Sequence, residues 1–375
     1  MTASPGQHAS SENASATALR ILLAGGGTSG HVSPLLATAA AIRERTPEAE
    51  ITVLGTAEGL EAELVPAAGL ELVTIPKVPF PRRPNGAALR FPGRFLAVQR
   101  RVRELLRERR IDVVVGFGGY VCPPAYLAAA RMRVPFIVHE ANVRPGLANR
   151  LGARRAAAVL TAFDGSTLPG AQRIGMPMRA GIAHVDRAHG RTAAARAFGL
   201  DPDRPVLLAT GGSLGAQRIN EAIAGAADDI LATGAQILQV TGKGKSEGLV
   251  ERPGHRILEY VSAMEDAYAV ADLALTRSGA GTVCELTAVG LPAVLVPLPI
   301  GNGEQALNGR ELVAAQGALM IPDAELTAQR VRDEVVPLLA DHARLEEMAR
   351  ASRAFGIDDA AERLADIVNS VARGA

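Results

Sequence analysis

Apolar residues along this chain fall into short β-branched and leucine-rich runs, separated by longer stretches where alanine, leucine and arginine recur at a helical period. Such runs predict strands buried on both faces of a parallel sheet, each followed by a crossover helix. In the first half the pattern predicts strands over 20–24, 51–54, 71–75, 112–115, 134–138 and 157–161. In the second it predicts them over 206–210, 235–240, 255–258, 272–275 and 293–297. The two halves open alike: Ile21-Leu22-Leu23-Ala24 runs into a glycine-rich turn over 25–30, and Val206-Leu207-Leu208-Ala209 into another over 210–215. The repeat predicts an α/β chain of two doubly wound, Rossmann-like domains facing a cleft, a common place for a ligand. The expected divisions are a disordered tail over 1–17, a first domain over 18–180, a second over 181–356, and a last segment over 357–375 whose helix is a candidate to pack back on the first domain.

Composition narrows the function classes. A chain of 375 residues with 48% hydrophobic positions is long enough for two cores. The 40 basic and 39 acidic residues nearly cancel, which argues against a nucleic-acid partner read by the whole surface. Cys122 and Cys284 lie far apart and form neither a disulfide framework nor a zinc motif, as in a reducing cytoplasm. The polar segment 1–17 lacks the apolar stretch of a signal peptide, and no run is long enough to span a bilayer. Lysine occurs only at 77, 243 and 245, so arginine carries most of the positive charge, and codon bias lowers the weight of any arginine cluster.

Gly25, Gly27 and Gly30 have the G-x-G-x-x-G spacing of a dinucleotide-binding turn, but the acid expected at the end of the second strand is missing, where Gly55-Thr56 stand instead. Two more loops of the same character follow strands: Gly116-Phe117-Gly118-Gly119-Tyr120 and Gly211-Gly212-Ser213-Leu214-Gly215. Backbone amides and helix starts collected around one cleft suit the phosphates of two ligands. His31 follows the first loop at a helix start, where the helix end favours the neutral imidazole that a general base requires; a capping histidine is the plainer reading. The polar burst from His139 to Asn149 reads as a functional loop in which His139 and Glu140 hold the turn and Asn142 offers an amide to a sugar. In the stretch 276–285 the small residues Ala280, Gly281 and Thr282 let a phosphate approach, and Glu285 is placed to accept ribose hydroxyls or simply to suit a helix start. Gln305 and Asn308 share one helix face. Asp201-Pro202-Asp203 reads as a turn, with no metal or cofactor expected.

Between Lys77 and Arg110 eleven basic residues meet two acidic ones, a net of +9, and the same window holds Phe80, Phe91 and Phe95. Phe80, Arg82, Arg83, Arg90, Phe91 and Arg94 form a candidate face for an anionic membrane. The competing reading is a helix that packs Phe95, Val98, Val102, Leu105 and Leu106 on the sheet and shows arginine to water.

Taken together, Gly26-Gly27-Thr28-Ser29-Gly30-His31, 116–121, 139–142, Gly175-Met176-Pro177-Met178-Arg179, 211–216, 278–285 and Gln305 with Asn308 make the chain resemble the MurG family over nearly all of 19–370. These are bacterial N-acetylglucosaminyltransferases of peptidoglycan synthesis. The resemblance implies a GT-B fold and inverting, metal-independent transfer from UDP-N-acetylglucosamine to undecaprenyl-diphospho-muramoylpentapeptide by a peripheral enzyme on the cytoplasmic membrane face. It implies Val261 and Met264 by the uracil, Glu285 by the ribose, Ser213 and Arg179 near the diphosphate, and Gln305 and Asn308 on the sugar. Asn142, Thr28, Ser29 and Gly30 would complete that pocket. Gly26, Gly27, Gly118, Gly119 and Tyr120 would receive the acceptor diphosphate, with His31 as base. Ser29, Ala141, Met176 and Glu304 depart from the usual family residues. The alternatives are a soluble transferase on a small acceptor, a UDP-N-acetylglucosamine epimerase, and a binding module without chemistry.

Overall fold

The computed structural model describes residues 18–81, 86–212, 215–299 and 303–374, the side chains of 87 and 88 excepted. The expected tail over 1–17, with Arg82, Arg83 and Ser213, lies outside the described residues. The first sheet has seven strands, β1 (Arg20–Gly25), β2 (Glu50–Gly55), β3 (Glu71–Thr74), β4 (Val113–Gly118), β5 (Phe136–Glu140), β6 (Ala158–Thr161) and β7 (Ala171–Arg173). The second has six, β8 (Val206–Thr210), β9 (Gln236–Val240), β10 (His255–Leu258), β11 (Leu273–Thr276), β12 (Ala293–Leu295) and β13 (Ala318–Met320). Their orders are β3-β2-β1-β4-β5-β6-β7 and β10-β9-β8-β11-β12-β13, and every pairing within them is parallel. The expected fold class is present. Strands β7 and β13 escape the sequence pattern because each has three residues at a sheet edge, too few to form a run.

Alternation sends side chains to opposite faces of each sheet. Ile21 and Leu23 join one core layer and Leu22 and Ala24 the other; in the second sheet Leu207 and Ala209 part from Val206 and Leu208 in the same way. The layer on Ile21 and Leu23 also buries Ala361, Leu364, Ala365 and Val368 of the final helix, Ala360–Arg373. Arg45 holds that helix through Asp366 at 2.7 Å. A further apolar layer mixes Val143, Phe163, Met176 and Met178 with Val283 and Leu286, so residues of both halves share one core.

Both sheets reverse their winding at a central pair, β1/β4 and β8/β11. Crevices form where successive connections leave on opposite faces, just beyond the carboxyl ends of those strands. The four segments that follow these strands are the three glycine loops and the stretch beginning at Arg277, which places the candidate residues at both switch points.

Candidate active site

The first glycine loop turns directly into the helix Ser29–Arg45, whose preceding residue Thr28 is extended and gives no side-chain cap. His31 therefore lies in the first turn and Pro34 in the second. The His31 Nδ1 atom is 3.0 Å from the Gly26 carbonyl oxygen and 3.3 Å from the Thr28 hydroxyl. A carbonyl can only accept, so Nδ1 carries the proton and donates; in the neutral ring the lone pair is then on Nε2. Nε2 makes no hydrogen bond to a described residue and lies over the second glycine loop, where a Cβ on Gly118 would come within 2.8 Å of it. A Cβ on Gly119 would sit 2.6 Å from the Gly26 carbonyl oxygen. The two loops thus meet backbone to backbone, and side chains there would force them apart.

That contact corrects the expected role of two loop amides. The Gly27 N–H donates to the Glu61 carboxylate at 2.8 Å, and the Gly118 N–H to the Cys122 sulfur at 3.1 Å, so neither amide is open to a phosphate. Gly27 and Gly118 shape the loops; Thr28, Ser29 and Gly30, at the uncapped helix start, remain the exposed or half-exposed part. Sequence reasoning passed over both partners. Cys122 also bonds the Ala24 carbonyl, tying the second loop to β1, and burial pushes its thiol up to about 12. Tyr120 is exposed, and the Lys77 ammonium stands 4.9 Å from its ring centre at the mouth of a cavity of about 70 Å³ that Gly26, Gly27, Thr56 and Glu61 also line.

The loop after β5 is held as expected by Glu140, whereas the His139 ring turns away from the loop to Gly175. The Glu140 carboxylate accepts from the Asn142 and Gly146 amides and from Asn149 Nδ2, each at 3.0 Å. His139 donates through Nε2 to the Gly175 carbonyl at 3.0 Å, and burial lowers its pKa to about 4. Asn142 and Asn308, both read as sugar contacts, are joined to one another. Asn308 Nδ2 donates to Asn142 Oδ1 at 3.1 Å, and Asn308 Oδ1 accepts from the Val143 amide at 3.1 Å. With both ends of its amide taken and its surface buried, Asn308 clasps the two halves in this arrangement and presents nothing to the cleft.

On the other wall the helix Ala280–Val289 starts without a side-chain cap on its first amides. Ala280 is buried, with Gly281 and Thr282 half-buried beside it. Glu285 lies one turn in. Its Oε2 accepts from the Tyr268 hydroxyl at 2.6 Å, and Tyr268 is a partner that the sequence did not reveal. Burial raises the Glu285 pKa, while the Tyr268 hydroxyl and the Arg179 guanidinium oppose the rise. Arg179 pairs with Glu265 at 3.6 Å, next to Met264 and the buried Val261. Gln305 gives its oxygen to the Leu298 amide at 2.9 Å, leaving only the amide hydrogens for a ligand. Asp201-Pro202-Asp203 is a turn closed by the Asp201 carboxylate on the Asp203 amide at 3.0 Å.

Away from the cleft, Phe80, Phe91 and Phe95 form one cluster with ring centres 5.2 to 6.0 Å apart, beside the exposed Arg90 and Arg94. The helix Gly86–Glu108 divides its work: Val98, Val102, Leu105 and Leu106 are buried on the sheet, while Leu89 and Leu96 face outward, 86% and 61% exposed. Among the described residues no helix is long and apolar enough to cross a membrane.

Comparison with known proteins decides the lineage. The glycosyltransferase family 28 N-terminal domain matches residues 21–161, and the C-terminal domain of the same family matches 206–364. The chain belongs to glycosyltransferase family 28. A family 28 relative from Paenarthrobacter aurescens (strain TC1) is 55% identical over 93% of this chain and 95% of its own length. One from Clavibacter sepedonicus is 54% identical over 92% and 95%. Both are named UDP-N-acetylglucosamine--N-acetylmuramyl-(pentapeptide) pyrophosphoryl-undecaprenol N-acetylglucosamine transferase. The crystal structure of Acinetobacter baumannii MurG, 26% identical, covers 94% of this chain and 99% of itself with a TM-score of 0.78. A putative UDP-N-acetylglucosamine 2-epimerase from Listeria monocytogenes, 13% identical, covers 92% of this chain and 94% of itself with a TM-score of 0.63, a likeness of fold alone.

Proposed function

We propose that the protein transfers N-acetylglucosamine from UDP-N-acetylglucosamine to the C4 hydroxyl of undecaprenyl-diphospho-muramoylpentapeptide, with inversion and without a metal ion. The observation that carries this reading is the His31 ring, whose Nδ1 faces the Gly26 carbonyl and whose Nε2 lies at the meeting of the two first-domain glycine loops. The acceptor hydroxyl lies at Nε2; its oxygen attacks the anomeric carbon of the donor sugar, and its proton passes to Nε2. The bond from that carbon to the diphosphate oxygen breaks, and its electron pair leaves with UDP. One displacement at one carbon gives inversion.

The donor lies on the second-domain wall. Glu285, steadied by Tyr268, accepts from the ribose hydroxyls; Val261 and Met264 flank the uracil; and Arg179, Ser213 and the helix start at 280–282 meet the diphosphate. Gln305 donates to the sugar, with Asn142 near it. Thr28, Ser29 and Gly30, which the resemblance put with the donor pocket, are assigned instead to the acceptor, whose diphosphate lies by that helix start with Gly26, Gly119 and Tyr120 around it. The names of the relatives support this donor and this acceptor. Phe80, Phe91, Arg90 and Arg94, together with Arg82 and Arg83, would rest the enzyme on the anionic cytoplasmic membrane surface, beside a lipid-borne acceptor.

The test is incubation of purified protein with radiolabelled UDP-N-acetylglucosamine, a short-chain lipid-diphospho-muramoylpentapeptide and EDTA. Labelled disaccharide lipid is the expected product. Dependence on added metal, or an epimer formed without acceptor, would contradict the proposal.

A further inference from the structure

The acid missing from the end of β2 is present after all, five residues beyond Thr56. Glu61 opens the helix Glu61–Ala67, is fully buried, and returns its carboxylate to the tip of β2. Oε1 accepts from the Thr56 amide at 2.9 Å and the Thr56 hydroxyl at 2.7 Å, while Oε2 accepts from the Gly27 amide at 2.8 Å. Room for it comes from three glycines: a Cβ on Gly26, Gly55 or Gly59 would approach Glu61 side-chain atoms to 2.3, 2.6 and 2.1 Å. Burial pushes this carboxyl up, but the hydrogen bonds from Gly27 and Thr56 outweigh it and hold the group below its ordinary value, as an ionised acceptor.

The Gly27 N–H and the Gly26 C=O belong to one peptide unit. In a planar trans peptide the two point in opposite directions. A carboxylate that holds the N–H on one side therefore fixes where the carbonyl points on the other, and the Gly26 carbonyl points at His31 Nδ1. Were this peptide to flip, both bonds would be lost together, and Nδ1 would keep only the Thr28 hydroxyl at 3.3 Å, which can donate as well as accept.

We propose that Glu61 is a positioning residue for the transfer: it pins the Gly26–Gly27 peptide, and through it sets the His31 tautomer that leaves Nε2 free to take the acceptor proton. The proposal rests on the reading of His31 as the base. Glu61 also occupies the place where dinucleotide-binding domains present an acid to ribose, and faces it inward onto the loop.

The experiment reads the tautomer and the rate separately. In ¹⁵N-histidine-labelled full-length protein, the His31 ring nitrogens report protonation at Nδ1 and a bare Nε2. In Glu61→Gln the amide nitrogen or oxygen must face either Gly27 or Thr56 with the wrong polarity, and the ring shifts move toward a mixture of both tautomers. Transfer by Glu61→Gln falls roughly tenfold or more in kcat, while donor KM stays within about twofold. Placed on top of His31→Ala, Glu61→Gln removes no further activity, since it acts only through the ring. A proton on Nε2 in the parent protein overturns the proposal even if the variant does not fold. So does an unchanged tautomer in Glu61→Gln, or a further loss in the double variant. Full activity of His31→Ala would instead overturn the base reading, while the ring shifts would still report whether Glu61 holds the peptide.

Discussion

At the scale of single residues, the account depends on which atom of a side chain is already engaged. The sequence placed His31 beside a glycine loop, but only the Gly26 carbonyl distinguishes Nδ1 from Nε2. Glu285 is similar: the helix position was readable from its spacing, whereas the Tyr268 hydroxyl that claims Oε2 comes from a separate helix seventeen positions earlier. Tyr268→Phe removes that donor without changing the ring. The carboxylate then loses the hydrogen bond from the Tyr268 hydroxyl, and its pKa, already raised by burial, rises further. Donor KM is expected to rise by about five- to tenfold with kcat within about twofold, and more steeply as the pH falls, measured by initial rates over UDP-N-acetylglucosamine concentration. An unchanged KM at every pH would show that Glu285 needs no such support. Glu61 was unreadable for a plain reason: in Glu58-Gly59-Leu60-Glu61 a carboxylate looks like an ordinary charged helix start, and room for it is made by Gly55 and Gly59 at the end of β2 and just after it and by Gly26 of a distant loop.

Elements were far more legible. Hydrophobic runs matched β1, β2 and β8 nearly to the residue, because strands covered on both faces are continuously apolar, while β4 runs three residues past its expected end into the glycine loop. Edge strands β7 and β13 carry no such signal. The glycine loops were found from their spacing, yet the reason for their glycines differs in part from the expectation: Gly119 makes way for the Gly26 carbonyl rather than for a ligand. In the helix Gly86–Glu108 the packing reading holds for the C-terminal part, while the first turns carry the proposed membrane face. Val98, Val102, Leu105 and Leu106 are core; Phe91 and Phe95 are half-buried against that same layer, and Phe80, Leu89 and Leu96 are the apolar side chains exposed among the arginines. Replacing Phe80 and Phe91 together by aspartate removes apolar area and adds charge facing an anionic lipid. Sedimentation with vesicles of anionic phospholipid is expected to show the parent protein bound and the double variant largely free, with transfer to a water-soluble acceptor unchanged. Equal sedimentation of both proteins would refute the membrane face.

For the whole molecule, the junction between the halves was the least readable part. It combines the mixed core around Val143, Phe163 and Met176 with the Asn142–Asn308 clasp, contacts between residues far apart in sequence, whereas the return of the final helix to the first domain was a candidate already in the sequence. His139 belongs to this junction through the Gly175 carbonyl, and it is buried neutral. Burial lowers its pKa from 6.5 to about 4, and burial with the nearby Arg252 charge does the same for His255. Unfolded imidazoles take up protons below about pH 6.5 and the folded ones only near 4, so stability is complete above that window and falls as the pH drops through it. The slope is up to ~1.4 kcal/mol per pH unit for each histidine. Calorimetry between pH 7 and 4.5 is expected to show a falling Tm, with a shallower fall in His139→Gln; an identical fall would show that His139 does not titrate on unfolding.

The central claim is that His31 Nε2 removes the acceptor proton, and it is tested most directly by comparing His31→Ala with the parent protein in transfer and in donor binding. The account predicts a loss of about 100-fold or more in kcat with UDP-N-acetylglucosamine affinity, measured by calorimetric titration, nearly unchanged. A His31→Ala enzyme that turns over at the parent rate would contradict it.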